Sequence, residues 1–75
     1  MIDDLSLALA QVFERVAVSA AHARFCRFDL EACRTLGASN VVIARNREAL
    51  AEAEVEQETA VRELAAQLAA WKAKP

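Results

Sequence analysis

The chain has almost nothing that interrupts a helix, with one Gly and one Pro in 75 residues. Tyr is absent, and the aromatic residues are three Phe and one Trp, which leaves little material for stacking on nucleic-acid bases. A single glycine excludes a glycine-rich phosphate loop. A single histidine leaves no second imidazole for a zinc-finger pattern, and the two cysteines are not spaced as CxxC. No stretch reaches the roughly 20 apolar residues needed to span a bilayer. The opening "MIDDLSLALA" places acids where a signal peptide carries basic residues. The net charge of −2 and pI of 5.3 argue against a general electrostatic attraction to nucleic acid or an anionic membrane. The expectation is a cytoplasmic chain with reduced thiols, binding neither nucleic acid nor membrane.

What is abundant is helix-forming. Hydrophobic residues make up 56% of the chain, and 18 of its residues are alanine. That bias, with Glu, Leu and Arg, favours long helices. The one strong punctuation is "LGASN" at 36–40, where Gly37 suits the left-handed close of a helix and Ser39 or Asn40 can cap the next. Asp3 and Asp4 suit the first turn of the first helix, and Lys72, Lys74 and Pro75 the end of the second. The reading is a single all-α domain over 1–75, an antiparallel helical hairpin. Its helix 1 runs about 3–36, its turn spans 37–40, and its helix 2 runs about 40–73. A chain of this size has a marginal core and usually gains stability from disulfides, metal, oligomers or very regular helix packing.

Helix 1 carries apolar or small residues alternating three and four apart: Ile2, Leu5, Leu9, Val12, Val16, Ser19, Ala23, Cys26, Leu30 and Cys33. Helix 2 is weaker. Ile43, Leu50, Gln57, Leu64 and Trp71 recur every seven residues with Val61 and Leu68, and the expected seam turns polar at Arg47, Glu54 and Gln57. Trp71 reads as a core plug beside Ile2 and Leu5 at the open end.

The two arms do not match. The stretch of helix 1 lying beside the most acidic part of helix 2 is apolar nearly all round, with Val18, Phe25 and Phe28 directed away from the seam. A helix that is hydrophobic on every side is buried on more than one side. Helix 1 is therefore expected to be central and helix 2 peripheral. The leading expectation is a non-enzymatic interaction or assembly module. In it, two hairpins form a four-helix bundle as a homodimer through Val18, Phe25 and Phe28, with Ala17 and Ala21 permitting close approach. The alternative is a small subunit or co-chaperone that docks the same face on a larger helical protein.

"HARFCRFDLEAC" raises a metal or redox question. On a helix, His22, Cys26, Asp29 and Cys33 share one narrow face, but the cysteines stand about 10.5 Å apart along the axis. One straight helix can neither join them to one metal nor bridge them in a disulfide. Two half-sites, His22 with Cys26 and Asp29 with Cys33, would need a second helix 1 to assemble a zinc or copper site. An intermolecular cysteine pair is the redox version. The ordinary reading makes both cysteines core residues, with no cofactor.

Charge is segregated. Arg24, Arg27, Arg34, Arg45 and Arg47 gather toward the turn, which reads either as a surface for an anion or acidic partner or as an ordinary solvated face with Arg27 paired to Glu31. From Glu48 to Glu63 there are six Glu against Arg62 alone. Cys26 beside His22 has the composition of a nucleophile–base pair, but the sequence offers no loop to stabilise an oxyanion, so no enzyme is expected.

Overall fold

The computed structural model describes residues 4–73 and consists of two α-helices, α1 (Asp4–Thr35) and α2 (Asn40–Ala73). Ile2, Asp3, Lys74 and Pro75 lie outside the described residues, as does the side chain of Leu5. The seam's first two positions and the helix-end signals placed on those residues therefore lie outside them too. The helices pack side by side into an all-α hairpin measuring 57 × 19 × 13 Å.

The turn follows from a few residues. Gly37 adopts φ 72°, the left-handed region that costs a residue with a Cβ. Its N–H donates to the Arg34 carbonyl at 3.2 Å, and the Ala38 N–H donates to the Cys33 carbonyl at 2.9 Å. This pair of bonds is the Schellman closure, and it satisfies two carbonyls that the helix end would leave open. On the far side, Ser39 is the N-cap. Its Oγ accepts from the Val42 N–H at 3.4 Å, and its carbonyl accepts the first helical bond, from Ile43, at 3.0 Å.

On α1 every described seam position from Leu9 to Cys33 is buried or half-buried, and Val12, Ala23, Cys26 and Leu30 are the most enclosed. On α2 the seam differs from the expectation. The positions facing α1 are Ile43, Asn46, Leu50, Ala53, Gln57, Ala60, Leu64 and Gln67, again three and four apart. Arg47 and Glu54 are exposed on the flank, and Val61 and Trp71 are 46% and 50% exposed. Leu68 is half-buried beside Gln67. The reason is that the three-residue step from Leu50 reaches Ala53, not Glu54, and the step from Gln57 reaches Ala60, not Val61. Alanine is so common in this chain that its seam positions carry little signal.

Small residues set the helix separation. Ala23 and Ala53, each 1% exposed, form the core cluster with Cys26, and Ala49 and Leu50 pack against it. Polar groups fix the same register from the edges. Asn46 Nδ2 donates to Cys33 Sγ at 3.0 Å, Arg15 pairs with Glu63, and the Arg27 guanidinium lies 3.9 Å from Glu54. The two exposed ion pairs contribute about 0.2–1 kcal/mol each. They guide alignment more than they hold the fold.

Candidate functional site

The outer face of α1 is the most distinctive surface of the molecule. Residues four and three apart, namely Leu7, Gln11, Glu14, Val18, Ala21, Phe25, Phe28 and Ala32, form a second heptad stripe along this helix. All but the half-buried Ala32 are exposed. Phe25 and Phe28 are 67% and 73% exposed, and Val18 is 62% exposed. Ala17 and Ala21 lie exposed among them, and Ala21, Arg24, Phe25 and Phe28 line a shallow depression. In a two-helix hairpin this side of the helix ordinarily carries charge. Here the two most exposed phenylalanines of the chain are one turn apart on it.

Sequence reasoning placed Val18, Phe25 and Phe28 off the seam but missed that Leu7 belongs to the same stripe. The same three-four count, started one position away from the main seam's frame, would have found it. The outer side of α2 is different. Val41 and Val55 are exposed there but stand apart, separated by Glu48 and Glu52.

No family model, curated protein or solved structure matches this chain. Its surfaces therefore have to be read from their own chemistry.

The His–Cys strip divides between two environments. Cys26 is buried in the seam, with its Sγ 3.6 Å from Nε2 of the exposed His22. Cys33 is half-buried and accepts from Asn46, while Asp29 is exposed. Both thiols are free, and among the described residues no three His, Cys, Asp or Glu side chains come together to hold a metal ion. Of the four candidates the structure brings together Cys26 and His22, and among the described residues no hydrogen bond joins Asp29 to Cys33.

The five arginines do not form one patch. Arg45 and Arg47 are two residues apart on α2 and so point about 200° apart. Arg27 turns across the hairpin toward Glu54 instead of along its own helix to Glu31. Among the described residues Arg24, Arg34, Arg45 and Arg47 have no ion-pair partner, and all four are exposed. The i, i+4 pairing that does form is Glu58 with Arg62 on α2.

An open groove runs along the other flank, where Ser19 and Ala60 are small at the helix contact. Its rims carry Arg15, His22, Glu56 and Glu63, with Val18 and Val55 at its outer edge. The Arg15–Glu63 pair crosses it. Among the described residues no helix is long and apolar enough to cross a membrane.

Proposed function

We propose that this chain is a non-enzymatic assembly module whose partner is a second copy of itself, joined through the outer face of α1. The observation that carries the reading is the exposure of Val18, Phe25 and Phe28 on a continuous heptad stripe. Contiguous apolar surface of this kind marks an interface.

Two features favour a second copy as the occupant. The intrachain core is thin: among the described residues the buried set is Val12, Ala23, Cys26, Leu30, Ala53 and Ala60, half of it alanine. Small domains with so little buried surface draw stability from disulfides, metal, association or very regular packing, and both thiols here are free. The stripe is also self-complementary, because its large side chains, Phe25 and Phe28, lie beside the small Ala17, Ala21 and Ala32 on one face. An antiparallel two-fold pairing sets large against small without any other sequence. The result is a four-helix assembly with the α1 pair in the middle.

The test is sedimentation velocity on the unmodified chain and on a V18S/F25S/F28S variant. The expected result is a dimer that becomes a folded monomer in the variant. A variant dimer of unchanged affinity would overturn the interface. A monomeric unmodified chain would assign the face to a different, larger helical protein.

A further inference from the structure

We infer that the two copies pair antiparallel, α1 against α1, about a two-fold axis at the height between Ala21 and Phe25; this rests on the dimer reading above. The two heptad stripes of α1 lie about 150° apart around the helix. A second α1 seated on the outer stripe therefore lies nearly opposite α2. The assembly is a layer in the order α2, α1, α1, α2, with the central pair covered on two sides.

The orientation follows from how the outer stripe is distributed along the helix. Its polar members, Gln11 and Glu14, are in the N-terminal half, and its phenylalanines are in the C-terminal half. In a parallel pair every residue meets its own counterpart. Glu14 would face the partner's Glu14 inside the contact, and like charges brought together there repel. Phe25 and Phe28 would meet the partner's Phe25 and the partner's Phe28 in successive layers, while Ala21 would meet the partner's Ala21. That order opens the helices at one end and closes them at the other.

The antiparallel pair removes both conflicts. Phe25 packs against the partner's Ala21 and Phe28 against the partner's Val18, so bulky and small side chains alternate as interdigitating layers require. Glu14 falls beside the partner's Ala32, and Gln11 beside the partner's Thr35, near the end of the overlap where water reaches them. Antiparallel pairing also brings like flanks together. It places Arg15 near the partner's Asp29, twice by symmetry. Among the described residues Asp29 has no cation within ion-pairing distance in its own chain. On the other flank Arg24 meets the partner's Arg24 near the axis. That repulsion is at the surface and is screened by salt.

The orientation is read from one distance. A spin label at Leu36→Cys, in a Cys26→Ala/Cys33→Ser background, marks the turn end of each copy. Antiparallel pairing puts the two labels about 40 Å apart, from 26 residues of axial offset at 1.5 Å each. Parallel pairing puts them within about 20 Å, given helices 8–10 Å apart. A dipolar distance near 40 Å supports the inference, and a short one overturns it while leaving the dimer intact.

Should removal of the native thiols unfold the hairpin, the unmodified chain gives the same answer. Lys72 lies at the open end, so antiparallel pairing separates the two copies of Lys72 by about 55 Å. In a parallel pair of the same layer the two copies stand three helix spacings, about 24–30 Å, apart. An amine cross-linker with an arm of about 30 Å would join them there, and joins no Lys72 to the partner's Lys72 in an antiparallel sample that sediments as a dimer. A Lys72–Lys72 link between copies overturns the orientation. A chain that sediments as a monomer overturns the dimer itself.

Discussion

Replacing Ala53 with leucine tests the close approach of the two helices. Ala53 and Ala23 are each 1% exposed and belong to the same core cluster. Leucine adds three carbons there. In open space their burial would contribute about 0.8 kcal/mol each. At a filled contact the side chain must leave its rotamer or push the backbone, which costs about 1–3 kcal/mol. The steric cost wins, because both partners at this point are already as small as a residue with a Cβ can be.

Ala60 supplies the control. It is also a seam alanine, at 7% exposure, but it borders the open groove of about 1080 Å³ beside Ser19. A leucine at 60 has room to lie along that groove, so its change in stability is expected within about 1 kcal/mol of zero, by the transfer scale above. Urea unfolding at one fixed protein concentration separates the two variants. With a slope near 1 kcal/mol per molar, a loss of about 2 kcal/mol lowers the Ala53→Leu midpoint by about 2 M. The corresponding fall in Tm is about 8–16 °C for a domain of this size. An Ala53→Leu protein as stable as Ala60→Leu would refute the register built on Ala23 and Ala53.

Four other outcomes follow from the same structure. Truncating Phe25 and Phe28 together to alanine should weaken dimerisation roughly a thousandfold by sedimentation equilibrium, from about 4 kcal/mol of lost burial across both copies; Val41→Ala and Val55→Ala should leave it unchanged. Gly37→Ala should destabilise by about 1–2 kcal/mol in thermal melts through φ 72° alone, since an added Cβ meets nothing within 4 Å. Reversing Glu63 to Lys should cost no more than about 1 kcal/mol, and the difference should shrink as salt is raised. A chelator should leave the Tm unchanged; a fall would instead assign zinc or copper to His22, Cys26, Asp29 and Cys33.

Much of the hairpin is legible in the residues. Gly37 and Ser39 mark the turn because few other residues satisfy a helix end and the next helix start within three positions. The α1 seam is legible because Leu9, Val12, Val16 and Leu30 contrast with their neighbours. The α2 seam is not, because Ala53 and Ala60 look the same as the exposed Ala51, Ala65 and Ala66; only the pairing with α1 distinguishes them. The outer stripe shows the opposite pattern. Val18, Phe25 and Phe28 are legible because they stand off the seam of Ala23 and Cys26, but Leu7 is not, because Gln11 and Glu14 interrupt the stripe between it and them. Once α2 is seen to occupy the Ala23 and Cys26 side, the phenylalanines are left uncovered. Charge is least legible, since Arg27 had both Glu31 and Glu54 within reach and only the packed register selects Glu54.

The measurement that tests the central claim most directly is native mass spectrometry of the unmodified chain in reducing buffer, over a range of concentrations. The account predicts a metal-free species at twice the 8.2 kDa chain mass, dissociating to folded monomer on dilution. A chain that stays at the single mass at every concentration, with its helices intact, would contradict it.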